Sequence, residues 1–169
     1  MKFDLFPHIG TNEIKFGLLR DDVIRILGKP YYSSEVDIFQ FGDFKLPLPA
    51  KDGFYDNELQ ITYDEVNKVE FIEFSGRNAC HTQVFFIGLE VFKISAPQLI
   101  TYIKKNTNTE YDVNDKEIPY SYIFKDIDLA VWRQVIPDLN EDINEIPESD
   151  EGKYFWAVGI GKKGYYQNI

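Results

Sequence analysis

Residues 14–30 constrain the fold more than any other segment, because they predict a short strand, a glycine turn and one amphipathic helix. We predict that the helix spans residues 19–27, since its apolar side chains recur at three- and four-residue spacing. These side chains are Leu19, Val23, Ile26 and Leu27. Gly28 and Pro30 then end the helix, because glycine accepts a left-handed cap and proline cannot continue a helix.

A weaker copy of this pattern follows 76 residues later, where Phe92 takes the place of Phe16. It predicts a second helix over residues 96–105. A period near half the length of the chain is typical of duplication. We therefore predict a first repeat over residues 1–80 and a second over residues 81–169, tightly joined.

Most of the remaining chain consists of alternating or continuous apolar runs that predict strands. The runs cover residues 36–44, 59–63, 69–74, 82–87, 120–124, 129–135 and 154–160. Each helix precedes its own run of strands, which is typical of an α+β protein. The expected architecture is two tandem repeats, each a helix plus a four-stranded antiparallel sheet, forming one curved sheet with both helices on one face.

The chain is acidic, with 28 Asp and Glu against 18 Lys and Arg and a net charge of −10. Such a surface repels phosphate backbones and anionic lipid headgroups, so we expect neither nucleic acid nor a membrane as partner. A basic protein partner is favoured, although acidity can also serve solubility alone. Seven carboxylates without a Lys or Arg among them cluster near the end of the chain: Asp138, Glu141, Asp142, Glu145, Glu148, Asp150 and Glu151.

Two long segments rich in turn residues interrupt the predicted strands, at residues 47–57 and 137–152. Loops of this length in a compact domain usually bind something, or else are tolerated insertions between strands. Both readings stay open for each loop.

No pattern of catalytic residues is present. His8 and His81 are the only histidines, and the single Cys80 is adjacent to His81, whereas a nucleophile and its base normally come from separate elements. The common zinc and phosphate-loop motifs are absent from the sequence. We therefore expect no catalytic residue, no cofactor and no metal.

The cellular compartment is expected to be the cytoplasm. Cys80 cannot form an internal disulfide, which agrees with a reducing environment. The first residues contain no apolar run of the length a signal peptide needs, and no stretch is long and apolar enough to predict a membrane span.

The opening segment resembles the start of the SmpA/OmlA outer-membrane lipoprotein unit, which has a glycine turn, an acidic helix start and a Leu-Gly-x-Pro end. The matching residues are Gly17, Asp21, Asp22, Leu27, Gly28 and Pro30. Tandem duplication of such a unit is similar to the plan of the β-lactamase inhibitor protein family, whose curved sheet grips a protein. Leu19 replaces a capping Thr, and neither a lipidated Cys nor paired cysteines are present. The resemblance therefore implies a bacterial protein of the immunity type.

Together these observations predict a non-enzymatic protein-binding module, an acidic immunity or inhibitor protein that caps a basic toxin or enzyme domain. Aromatic residues on the uncovered sheet face and acidic loop residues would make the contacts. The predicted partner-binding residues are Phe54, Tyr55, Asp56, Trp132, Asp138, Glu141, Asp142, Glu145 and Trp156. Two alternatives stay open: a carboxylate-based hydrolase, with or without a divalent metal, and a structural assembly module.

Overall fold

The computed structural model describes residues 1–76, 79–136 and 152–167. Strands account for 39% and helices for 17% of the described chain, so the protein is mostly β. Its strands form a seven-stranded sheet, a four-stranded sheet and a separate two-stranded hairpin. The predicted α+β fold of two helix-plus-sheet repeats is wrong.

Thirteen strands and two α-helices make up the described structure. The strands are β1 (Lys2–Phe6), β2 (Gly10–Thr11), β3 (Tyr32–Ser34), β4 (Asp37–Phe41), β5 (Phe44–Leu48), β6 (Lys51–Phe54), β7 (Leu59–Tyr63), β8 (Val69–Ser75), β9 (Gln83–Phe86), β10 (Leu89–Glu90), β11 (Ser121–Phe124), β12 (Leu129–Trp132) and β13 (Ala157–Gly161). The helices are α1 (Arg20–Leu27) and α2 (Ala96–Thr107), with short 3₁₀ turns at Val91–Lys93 and Lys125–Ile127.

The pairing of strands explains why the repeat prediction failed. In the seven-stranded sheet, ordered β11-β12-β13-β8-β7-β6-β3, the last strand of the chain pairs with β8 from the first half. In the four-stranded sheet, ordered β10-β9-β1-β2, β1 pairs in parallel with β9. Strands from both sides of residue 80 therefore share each sheet. The proposed copy of the first motif also differs in structure, because Phe92 lies in a 3₁₀ turn.

Both helices lie where the sequence places them. α1 begins after Leu19 and ends at Gly28, whose φ of 88° favours glycine. Val23 is the one α1 side chain that is buried, whereas α2 buries a stripe of four: Ala96, Leu99, Ile100 and Ile103. In the described ranges, no helix is long and apolar enough to cross a bilayer.

One face of the seven-stranded sheet is packed into the core. A cross-strand row on this face runs through Ile61, Ile72, Ile160 and Leu129, all of which are fully buried. Side chains alternate along each strand, so the other face has a central row of small and polar residues flanked by the aromatic side chains of Phe71 and Trp132. The row is formed by Gln60, Glu73, Gly159 and Ala130. Gly159 lies on this second face between β8 and β12.

Candidate functional site

The most exposed element is the hairpin of β4 and β5, residues 37–48, which we call the hairpin arm. Its strands pair only with each other, and every residue in both strands is exposed. The arm extends from the pair formed by β3 and β6, where Ser34 lies opposite Lys51. It therefore projects from the edge of the seven-stranded sheet.

The hairpin arm is apolar although it is exposed. Cross-strand pairing puts Phe39 with Leu46 and Phe41 with Phe44 on one face. Phe41 is 78% exposed and Phe44 is 59% exposed. A two-stranded hairpin without a covered face is only marginally stable alone, and a contiguous apolar patch on a protein surface usually marks an interaction site.

A groove of about 600 Å³ lies at the root of the hairpin arm. Apolar residues at the base of the arm line it, together with carboxylates of β8 and of the turn that precedes β8. The lining residues are Val36, Pro47, Leu48, Pro49, Tyr63, Asp64, Glu65, Val66, Glu70 and Lys162. Lys162 is the one cation among these residues, and it lies 3.0 Å from the Glu70 carboxylate. The groove therefore offers apolar surface with a negative rim.

A second concave surface, which we call the tryptophan cleft, lies on the open face of the seven-stranded sheet. The indole rings of Trp132 and Trp156 meet edge to face there, with their centroids 5.8 Å apart. The cleft measures about 470 Å³ and is lined by Asp56, Asn57, Gln60, Glu73, Ser75, Trp132, Trp156 and Ala157. Trp132 is 43% exposed, whereas its neighbour Val131 is buried, as the predicted alternation of β12 requires.

The tryptophan cleft contains hydrogen-bond acceptors that lack donors. No described residue donates a hydrogen bond to the Glu73 carboxylate or forms an ion pair with it. Burial raises the pKa of Glu73, and the charge of Lys51 opposes this rise only in part. Asn57 Oδ1 is also buried without a hydrogen-bond partner. The third acceptor of the cleft, the Asp56 carboxylate, lies 3.1 Å from His81 Nε2.

One group of side chains has the composition of a metal site. Glu58, Cys80 and His81 each place a ligand atom within 4.8 Å of the others. The Glu58 carboxylate, however, accepts hydrogen bonds from the backbone N–H groups of residues 80–82 and from the Thr82 hydroxyl. These donors occupy its lone pairs and hold its pKa below the usual value despite the opposing effect of burial. Glu58 therefore anchors this loop and is a poor metal ligand.

The structure brings together three of the predicted partner-binding residues, because Asp56, Trp132 and Trp156 all line the tryptophan cleft. Phe54 is 2% exposed in the core, so its side chain presents no surface to a partner. Tyr55 is half-buried, and its hydroxyl lies 2.9 Å from Met1 Sδ. The remaining four lie outside the described residues: Asp138, Glu141, Asp142 and Glu145.

Sequence reasoning missed the hairpin arm and Glu73. Residues 36–44 were expected to form one strand, but Gly42 and Asp43 turn the chain between β4 and β5. A glycine followed by Asp between apolar runs is a known hairpin signal. No sequence pattern marks Glu73, because the absence of a hydrogen-bond donor to its carboxylate depends on which strands lie beside β8.

No known family model, curated protein or solved structure matches this chain. The hairpin arm and the tryptophan cleft are the two features of the described residues that bear on function.

Proposed function

We propose that this chain is a non-enzymatic protein-binding module that acts in the cytoplasm and engages its partner through the hairpin arm. The observation that carries this proposal is that every residue of β4 and β5 is exposed although the two strands are largely apolar. Soluble proteins rarely leave such a patch uncovered unless another molecule binds it.

The partner that fits the arm is a basic protein. The chain carries a net charge of −10, and the groove at the root of the arm has a negative rim. Electrostatic attraction would speed association with a basic surface and orient it. Pairing of two copies of this chain would instead bring two strongly negative molecules together, which is unfavourable. Capping of a basic toxin or enzyme, the action of an immunity or inhibitor protein, agrees with this chemistry.

The apolar side chains of the arm can supply the binding energy. Full burial of one Phe side chain contributes about 1.5–3 kcal/mol. The arm presents three, Phe39, Phe41 and Phe44, each more than half exposed. Together with the aliphatic side chains around them, they can offset the association cost of about 4–15 kcal/mol only if the partner encloses the arm. We therefore expect the partner to have a groove that accepts a hairpin.

The test is co-expression of the tagged chain with the products of the genes that flank its own. The chain should co-purify with one basic product and rescue cells from any toxicity of that product. A Phe41→Ser/Phe44→Ser variant should lose both effects. The matched control is Ile9→Ser/Val113→Ser, which removes two exposed apolar side chains outside the arm and should keep both.

Two results would contradict the proposal. One is the absence of both a complex and rescue with every flanking gene product. The other is a stable dimer of the chain, measured by analytical ultracentrifugation, that the Phe41→Ser/Phe44→Ser variant loses. That result would assign the arm to self-association.

A further inference from the structure

The turn of the hairpin arm determines which of its backbone groups point outward. Phe41 and Phe44 flank a two-residue turn, so they form a hydrogen-bonded pair across the hairpin. Hydrogen-bonded pairs alternate with non-hydrogen-bonded pairs in an antiparallel ladder, and residues of the second kind direct their N–H and C=O groups away from the hairpin. In the arm these residues are Gln40 paired with Lys45, and Ile38 paired with Pro47.

Two features close the edges of the arm to strand pairing. Pro47 has no N–H, so the outward edge of β5 lacks a donor at that position. On β4, the Ile38 N–H donates to Asp37 Oδ1 at 2.7 Å. Each edge therefore offers one outward N–H, that of Lys45 or that of Gln40. Proline and charged side chains at an edge are known means of preventing a sheet from adding strands.

The apolar side chains of the arm are concentrated on one face, which we call the outer face. It carries Phe39, Phe41, Phe44 and Leu46, each 46–78% exposed. None of these four lines the groove at the root of the arm, whereas Pro47 on the opposite face does. The outer face is therefore the one that is turned away from the groove.

The charges of the arm frame the outer face. Asp37 lies at its root, opposite Leu48, and Asp43 lies in the turn at the tip of the arm. The only cation in residues 36–49 is Lys45, which lies on the opposite face with Gln40 as its cross-strand neighbour. The outer face is thus an apolar strip with a carboxylate at each end.

We propose that the basic partner binds the outer face through side chains, in an apolar groove with Lys or Arg at its ends, and does not add a strand to β4 or β5. This inference rests on the proposed function and specifies how the arm and its partner meet. Strand addition derives its affinity from main-chain hydrogen bonds, which need a row of outward donors that the closed edges lack. Burial of apolar side chains supplies the affinity instead, and basic residues at the ends of the groove match the two carboxylates.

The first test needs no partner. In Asp37→Ala/Pro47→Thr, both edges regain an outward N–H while the four side chains of the outer face stay unchanged. This variant should self-associate in sedimentation velocity, because open edges of exposed strands pair with each other, whereas the wild type should stay monomeric. The matched control is Ile38→Thr/Asp43→Ala, which also removes one carboxylate but adds no donor, and it should stay monomeric. A monomeric Asp37→Ala/Pro47→Thr variant would overturn the closure of the edges.

The second test measures affinity for the basic product that co-purifies with the chain, by isothermal titration calorimetry. Phe39→Ser/Leu46→Ser removes two side chains of the outer face and should weaken binding about 30-fold or more. Ile38→Ser/Gln40→Ser changes two residues on the opposite face and should alter binding less than about threefold. All four side chains are exposed, so both variants should unfold in urea as the wild type does.

The outcomes separate this inference from the proposed function. Equal loss of affinity in the two variants would overturn binding through the outer face, while the arm would remain the binding surface and the proposed function would stand. Absence of a complex with every flanking gene product would overturn both.

Discussion

The guanidinium of Arg20 donates two parallel hydrogen bonds to the buried carboxylate of Asp52. Nε lies 2.9 Å from Oδ2 and Nη2 lies 2.7 Å from Oδ1. Ser33 and Tyr63 donate their hydroxyl protons to the same carboxylate. One fully buried side chain thus joins α1, β3, β6 and β7. Because β3 and β6 carry the hairpin arm, this cluster fixes the root from which the arm projects.

Arg20→Leu should lower the free energy of unfolding by about 3–5 kcal/mol, because it leaves the Asp52 charge buried without its cation. Urea unfolding followed by circular dichroism measures this change. The matched control is Arg25→Leu, which breaks an exposed pair with Asp22 and should cost less than about 0.5 kcal/mol. Equal, small effects of both substitutions would show that the cluster contributes nothing to stability.

The Asp52 carboxylate should make the fold sensitive to acid. Burial tends to raise the pKa of Asp52, but hydrogen bonds from Arg20, Ser33 and Tyr63 outweigh burial and lower it. The stabilisation is therefore complete above the unfolded-state pKa of about 3.9 and is lost as pH falls through the lower folded-state value. The free energy of unfolding, measured from pH 7 to pH 2, should fall across this window. In Asp52→Asn the fall should be shallower, and an unchanged slope would contradict the assignment.

Gly159→Ala should destabilise the seven-stranded sheet by about 1–3 kcal/mol, because overpacking strains a filled site. A Cβ at this position would collide with the Phe71 ring, which lies across the glycine and stacks on Tyr165 with centroids 4.7 Å apart. Phe71→Leu in the same chain should recover part of the loss. A double-mutant cycle in urea measures this coupling, and strictly additive effects would contradict the predicted contact.

The hairpin arm should be dispensable for folding. Replacing residues 36–49 with Asn-Gly keeps Glu35 and Ala50 next to the paired residues Ser34 and Lys51, and a two-residue turn of this type suits a hairpin. The free energy of unfolding should change by less than about 1 kcal/mol, since the arm buries no side chain of its own and a shorter loop closes at less entropic cost. Loss of cooperative unfolding would instead assign the arm a structural role.

Local structure was largely predictable from the sequence. The strand predicted at residues 59–63 matches β7, and both helices were found within two residues of their ends. These elements are predictable because the periodicity of apolar residues within each segment indicates its secondary structure, whatever segments precede or follow it. The alternation of side chains along β12 likewise predicted that Trp132 and Val131 lie on opposite faces of the sheet, as they do.

Strand pairing was not predictable in the same way. Nothing in Lys2–Phe6 indicates a parallel partner at Gln83–Phe86, because many strands of similar composition compete for each edge. The repeat prediction failed because similarity in sequence did not mean similarity in structure. The apolar run that resembles the first motif forms a 3₁₀ turn at Val91–Lys93. The position of Glu73 could not be predicted because it depends on which residues lie beside it in the sheet. Its cross-strand neighbours are Gln60 and Gly159, and neither donates a side-chain hydrogen bond to its carboxylate.

The central claim is that the hairpin arm is the surface that binds the partner. Hydrogen–deuterium exchange of the chain, alone and with the flanking-gene product that co-purifies with it, tests this claim most directly. Residues 37–48 pair only with each other in the free arm, and the account predicts that their amides exchange more slowly in the complex than in the free protein. Protection confined to other parts of the chain, with residues 37–48 exchanging as fast as in the free protein, would contradict it.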